Sequence, residues 1–242
     1  MKIVRHHFES LNSTNVWANE HANTFETNIL TLVTAGQQTG GKGRLGRSWV
    51  SPEGKNIYAT FCFFMDTQRK DIGNLPQVMA ISAAEVLHQN DFSIKLKWPN
   101  DLLLQSKKVG GILTETKSIE DSLFIAIGVG ININMLPDDV KAIDRPATSL
   151  YIESGKTFIV EEVIQELSKN FVNKLQQFLK EGFTPFISSY KERLAHSPHS
   201  EMSFRDSQSI WHGHFAGINS DGSLAMRLAN GTLKTFVEGE LL

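Results

Sequence analysis

The sequence predicts an α+β protein that ends in a small all-β unit, and three observations carry that prediction. Phe124 to Met135 alternates strictly: Ile125, Ile127, Val129, Ile131 and Ile133 share one side, while Ala126, Gly128, Gly130, Asn132 and Asn134 share the other. That is the period of a strand. Leu75 to Asn90 and Val160 to Glu181 carry apolar residues at helical spacing, as helices laid on a sheet do. After Leu194 the composition changes to short apolar runs split by turn signals at Asn219-Ser220-Asp221-Gly222 and Asn230-Gly231. Residues 1–194 and 195–242 are the expected domains.

Taken in order, Lys2 to Glu9 reads as a first strand and Val16 to Ala22 as a short helix. Asn12 or Ser13 is placed to cap that helix by accepting from a free backbone N–H; a ligand contact is the other reading of Ser13-Thr14-Asn15. Ile29 to Ala35 is a strand that delivers the chain into a glycine-rich loop, and Asn56 to Phe64 is a Phe-rich strand beyond it. Ile94, Leu96 and Trp98 alternate with Lys95 and Lys97, a half-buried strand stopped by Pro99. Leu102 to Gln105, a turn at Ser106-Lys107, and Val109 to Thr114 read as a hairpin with Lys108 at the mouth of its second arm. Leu136 to Pro146 reads as a mobile polar loop. Thr184-Pro185 starts a last helix to about Ala195, with proline in its first turn. Ala195 to Ser200 reads as a linker. Met202–Phe204, Ile210–Ile218, Ser223–Leu228 and Thr232–Val237 are the strands expected beyond it.

The whole chain narrows the function classes. With 242 residues, 40% hydrophobic and 21% charged, it has the make-up of a folded globular protein. A net charge of −2 supplies no basic face for general nucleic-acid or membrane binding. The one cysteine, Cys62, allows no intrachain disulfide and lies in an apolar strand, which fits packing and a reducing, cytoplasmic setting. Of the eight histidines, His6-His7, His196/His199 and His212/His214 are the closest pairs, and none has a cysteine partner, a weak pattern for a structural metal.

Chemistry concentrates between Gly36 and Trp49, GQQTGGKGRLGRSW, where five of fourteen residues are glycine and three are Lys or Arg. Glycine lets backbone come close to a ligand, and Lys42, Arg44 and Arg47 put positive charge where an anion could sit. Two phosphate patterns nearly fit. Gly36 to Gly43 has Gly43 where a P-loop needs Ser or Thr, and Gly41 to Gly46 matches G-x-G-x-x-G without the helix that must follow it. A solvated surface loop is the plain alternative. The glycine and asparagine face of Phe124–Met135 suits a wall against which something flat can lie, with a bulge or sheet-on-sheet packing as the other reading.

In series, GGKGRLGRSWVSPEG, KWPNDLLLQSKKVGGIL, GVGININ and ATSL resemble the biotin–protein ligases, over essentially the whole chain. The resemblance implies a catalytic domain built on a mixed central sheet packed with helices, of the kind shared with class II aminoacyl-tRNA synthetases, and a small C-terminal SH3-like β-barrel. It implies formation of biotinyl-AMP from biotin and ATP with Mg²⁺, then transfer of biotin to one lysine of a biotin carboxyl carrier protein of acetyl-CoA carboxylase or another biotin-dependent carboxylase. Biotin contacts would come from Ser13, Thr14, Asn15, Gln38, Gly41, Lys42, Gly43, Arg44, Lys108, Gly110, Gly128 and Gly130. ATP contacts would come from Arg44, Arg47, Trp49, Asn100, Asp101, Lys108 and Asn132, with Mg²⁺ beside the phosphates near Asp101. Lys108 and Arg44 are the expected catalytic pair.

The residue types suit that reaction. Bringing a carboxylate against a triphosphate needs cations at the meeting point, and no nucleophilic side chain is required. The chain starts at the catalytic domain, so no repressor role or nucleic-acid partner is expected, and it stops at Glu240-Leu241-Leu242, short of a longer nucleotide-binding tail. No membrane partner is expected; a homodimer is one assembly open to it. The rival readings are a lipoate ligase or octanoyltransferase on the same fold and a non-catalytic biotin sensor. The glycine loop and Leu136–Pro146 are expected to order when ligand binds.

Overall fold

The structure is a computed structural model that describes every residue from Met1 to Leu242. Strand β1 (Ile3–Leu11) leads through helix α1 (Thr14–Glu20) to β2 (Leu30–Gln38), and the two strands pair in parallel. β3 (Ile57–Asp66), α2 (Leu75–Gln89), β4 (Lys95–Lys97), β5 (Asp101–Leu104), β6 (Lys107–Ile119) and β7 (Ser122–Ile131) follow. The seven strands form one mixed sheet in the order β1-β2-β3-β7-β6-β5-β4, in which only β1 and β2 run parallel. α3 (Pro137–Val140), α4 (Leu150–Ser154), α5 (Val160–Glu181) and α6 (Ile187–Glu192) complete the helices.

The alternation in β7 sorts as expected. Ile125, Ile127, Val129, Ile131 and Ile133 are buried in the main core under α2 and α5. On the opposite face Phe124 and Ala126 pack with Ala18 and Ala22 of the α1 region, and Asn15 of α1 reaches over Gly128. Cys62 is part of this second cluster, and burial pushes its thiol pKa up, so it packs and does not react.

Several expectations need correction. The hairpin turn is Gln105-Ser106, one residue earlier than expected; both have positive φ (50° and 61°), as a two-residue hairpin turn requires. Leu136–Pro146 is not featureless, because α3 forms within it, Asp139 accepts from the Leu136 N–H at 2.7 Å, and Lys55 pairs with Asp139 at 2.5 Å. The last helix breaks into a 3₁₀ turn at Thr184–Phe186 and α6, which stops at Glu192. Ser13 occupies the N-cap of α1 but its side chain makes no capping hydrogen bond.

A second sheet is built from β8 (Glu201–Arg205), β9 (Ile210–Ile218), β10 (Leu224–Leu228), β11 (Leu233–Phe236) and β12 (Glu240–Leu241), antiparallel in the order β11-β10-β9-β8-β12. β12 is only two residues long and escaped the sequence reading. The connection before β8 is not a loose linker, since the Leu96 N–H donates to Arg193 O at 2.7 Å and Ala195 N–H donates to Leu96 O at 3.0 Å. Three side chains of the first unit also donate to one turn of the second. Asn74 Nδ2 reaches Asp221 O at 2.8 Å, Gln77 Nε2 reaches Gly222 O at 2.8 Å, and Trp98 Nε1 reaches Gly222 O at 3.0 Å. Phe204, Phe215, Met226 and Leu241 share a continuous apolar core with Trp98 and Leu75. No helix is long and apolar enough to cross a membrane.

Candidate active site

A cavity of about 850 Å³ opens over the glycine end of β7. Its floor is β3, β6 and β7, its roof is the loop from Lys42 to Val50, and its sides come from Ser13–Asn15, Lys97–Asp101, Ala142–Ala147 and the tail Glu240–Leu242. Ser13, Thr14, Asn15, Gln38, Lys42, Gly43, Arg44, Arg47, Trp49, Asn100, Asp101, Lys108, Gly128, Gly130 and Asn132 all line it. Residues far apart in the sequence meet there because β2, β3, β6 and β7 are neighbours in one sheet.

Gly41 and Gly110 do not line the cavity. A Cβ on Gly41 would stand 2.6 Å from Trp49 O and 2.7 Å from Ser51 Oγ, so this glycine lets the roof loop close on itself. Gly110 pairs with Ile131, and a Cβ there would point to the core side, 2.8 Å from Leu102 Cδ1. Its neighbour Gly111 pairs with Gly130 and lines the cavity instead.

One end of the cavity is neutral, buried and polar. Ser13, Thr14 and Asn15 are each no more than 4% exposed. Thr14 N–H donates to Gln38 Oε1 at 2.9 Å, and Gln38 Nε2 donates to Ser51 Oγ at 3.1 Å. The buried Thr60 hydroxyl sits 2.8 Å from Thr14 Oγ1 and donates to Asn15 Oδ1 at 2.6 Å. Asn15 Nδ2 donates to Glu115 Oε2 at 2.9 Å, which fixes the amide across the strand. These groups form a held array of donors and acceptors on a short helix start and two strands, so they change little when a polar head arrives.

The other end is cationic. Lys108 Nζ pairs with Asp101 Oδ1 at 2.5 Å and stands 5.5 Å from the centre of a Trp49 ring. Its backbone is clamped on the Ala142–Ala147 side: Lys108 N–H donates to Pro146 O at 3.0 Å and Thr148 N–H donates to Lys108 O at 2.9 Å. Arg44 Nη1 donates to Asn100 Oδ1 at 3.2 Å, and Asn100 Nδ2 donates to Ile112 O at 2.6 Å. Burial lowers the Arg44 pKa, and Asp101, Glu240 and Glu238 oppose that shift, so these carboxylates stabilise its charge in a partly desolvated place. Lys42 is exposed on the roof.

The flat glycine wall carries an indole. A Cβ on Gly130 would lie 2.6 Å from Trp49 Cε2 and Nε1, and one on Gly128 would run into Asn15. Trp49 Nε1 and Asn132 Oδ1 are buried without a hydrogen-bond partner. A donor and an acceptor left unpaired inside one cavity wall are costly unless a ligand completes them. Asn134, expected on this wall, is turned away and donates to Phe158 O at 2.8 Å.

Sequence reasoning missed Gly111, Arg145 and Glu240, which line the cavity, and Ser51, which holds the Gln38 amide. Gly111 was legible as the other member of Gly110-Gly111. The other three depend on long-range packing and left no local signal.

The family model for the biotin/lipoate A/B protein ligase family matches residues 7–132. The chain belongs to that family. It is 33% identical over 215 residues to the bifunctional ligase/repressor BirA of Bacillus spizizenii, covering 85% of this chain and 64% of that protein. It is 30% identical over 201 residues to the biotin–[acetyl-CoA-carboxylase] ligase of Paracoccus denitrificans, covering 81% of this chain and 83% of that one. Among solved structures it is similar to the biotin protein ligase of Aquifex aeolicus in complex with biotin and ATP, with a TM-score of 0.81, 28% identity and coverage of 100% of this chain and 97% of that one.

Proposed function

We propose that this family member is a biotin–protein ligase, which activates biotin with ATP and passes it to a lysine of a biotin carboxyl carrier domain. The observation that carries the reading is the meeting, in one cavity, of a buried polar pocket with Lys108, Arg44 and Arg47. The names of the similar proteins support it.

In this reading Ser13, Thr14, Asn15 and Gln38 hold the polar ring system of biotin, and its carboxylate points toward Lys108. The carboxylate oxygen attacks the α-phosphorus, the bond to the bridging oxygen breaks, and pyrophosphate leaves. Lys108 exchanges Asp101 for the oxygens of the two reactants, and Arg44 and Lys42 close over them. At ~4 Å and an effective dielectric of ~20, one such contact is worth about 4 kcal/mol. If present only as charge gathers in the transition state, it corresponds to roughly 10³ in rate. The carrier's amine then attacks the acyl carbon and AMP leaves. Gly41 and Gly110, expected as biotin contacts, act behind the wall in shaping it.

Mg²⁺ fits this site only as a companion of the nucleotide. No three His, Cys, Asp or Glu side chains are grouped to hold a metal ion, whereas Asp101 and the unpartnered Asn132 Oδ1 offer oxygens beside the phosphates. This matches the habit of Mg²⁺ of binding through one or two protein oxygens and phosphate, where it neutralises charge. We read the small sheet as the SH3-like barrel of such ligases and the cytoplasm as the place of action.

Lys108→Ala tests the reading. It should lower pyrophosphate release dependent on both biotin and ATP by about 10³-fold with the fold retained, as circular dichroism would check. Near-normal turnover would remove Lys108 from this role. Calorimetric titration of the native chain should show binding of biotin and not of lipoate; the reverse result would favour the lipoate-handling branch of the family. Biotin binding without pyrophosphate release would favour a sensor.

A further inference from the structure

We propose that Glu240 is a positioning residue, which holds the glycine loop over the cavity through Arg47 and so couples the C-terminal sheet to catalysis. The proposal rests on the ligase reading for its kinetic consequences, though not for its structural ones.

Glu240 belongs to the two-residue strand β12, and three features fix where it points. Gly239 has a φ of +134°, and a side chain there would stand 2.5 Å from Arg205 O, so only glycine makes this bend. Beyond the bend Glu240 pairs with Arg205 and Leu241 with Phe204, while Leu241 is buried in the common core. The sheet that carries β12 is itself held to the first unit by the Asn74, Gln77 and Trp98 bonds to the Asp221-Gly222 turn. Glu240 therefore stands on a rigid mount, and its carboxylate lines the cavity with side-chain exposure of 18%.

Both Glu240 oxygens accept from Arg47 Nη2. Arg47 lies at the base of the loop tip, where Gly43 N–H donates to Arg47 O at 2.7 Å and Trp49 N–H donates to Gly41 O at 2.8 Å. Fixing Arg47 thus fixes the backbone that presents Gly43, Arg44 and Trp49. Asp144, which also lines the cavity, feels the charge of Arg47 but is already engaged by Arg145 at 3.0 Å. Glu240 is the group that makes direct contact.

Glu240→Gln keeps the size of the side chain and removes its charge. Amide exchange of residues 41–49 in the ligand-free protein should rise about fivefold, the scale of a half-exposed charge-assisted contact. Exchange in α5 and β7 should stay as in the native protein. The KM for both biotin and ATP should rise by a similar factor, with a smaller effect on kcat. Adding Glu240→Gln to Arg47→Ala should produce no further change. Loop exchange at the native rate in Glu240→Gln would overturn the proposal. So would faster exchange throughout the molecule, or effects of the two substitutions that add. If the native protein released no pyrophosphate with biotin and ATP, the ligase reading would fail, and the exchange measurement would still decide the role of Glu240.

Discussion

Gly130→Ala places one methyl group between a strand and an indole. Its carbon would lie 2.6 Å from Trp49 Cε2 and Nε1 and 2.8 Å from Cζ2, roughly 1 Å inside ordinary carbon–carbon contact. The strand cannot yield, because β7 is paired on both sides, with Tyr58 of β3 and Gly111 of β6 opposite Gly130. The indole must therefore move by about 1 Å or swing into the cavity. Lys108 Nζ lies 5.5 Å from the centre of a Trp49 ring, and the Trp49 backbone N–H ties the roof to Gly41. A shift of that size carries the reacting groups away from alignment, which costs on the order of 10²-fold in rate. Stability should fall by only about 1–2 kcal/mol, since the ring has open space to enter. Biotin-dependent pyrophosphate release and a urea denaturation curve measure the two quantities. Activity within about threefold of the native enzyme would refute the claim that the indole's seat on Gly130 aligns the site. Trp49→Ala combined with Gly130→Ala should be no worse than Trp49→Ala alone.

Three further outcomes are expected. Thr60→Val removes a buried hydroxyl beneath Thr14 and Asn15 while keeping the shape, and should raise the KM for biotin about tenfold with little change in that for ATP; equal effects on both substrates would contradict the split of the cavity into two ends. Gly222→Ala should destabilise the whole chain by about 1–3 kcal/mol in a single denaturation transition, because φ is +81° and a Cβ would run into Asn74 and Gln77. Separate melting of the C-terminal sheet in the native protein would show that the junction does not unite the two units. Burial lowers the His196 pKa below its usual 6.5, with Lys97 adding to the shift. A folded pKa below the unfolded one means that the unfolded chain takes up more protons, so the His196 contribution is present above pH 6.5 and is lost as pH falls through the lowered value. The denaturation midpoint of His196→Gln should accordingly change less between pH 7.5 and 5.5 than that of the native protein, and equal changes would count against this origin.

Much of the site could be read from residue order, and the misses have physical causes. Period-two alternation identified the bare side of β7 because side-chain direction in a strand is a local property. The unusual glycine and cation content marked the roof loop for the same kind of reason. Lys108 was legible only through its flanking glycines together with the family resemblance, since beside Lys107 it otherwise reads as a solvated hairpin lysine, and the pair Gly110-Gly111 gave no hint of which member faced the cavity. Opposite faces are certain within a strand, but register with β7 decides which face is which, and that depends on distant chain.

The sequence by itself determined the strands of the larger unit, its helices α1, α2 and α5, the four strands longer than two residues in the smaller one, and the segments that gather cations and glycines. Short-range sterics and hydrophobic period set these features, and both act between near neighbours along the chain. Only the tertiary structure decided that Trp49 lies on Gly130, that Asp101 holds Lys108, that Gly111 replaces Gly110, and that Glu240 reaches back to Arg47. Each of these is a contact between elements whose meeting is settled by burying one shared core, a property of the whole fold that no local window contains.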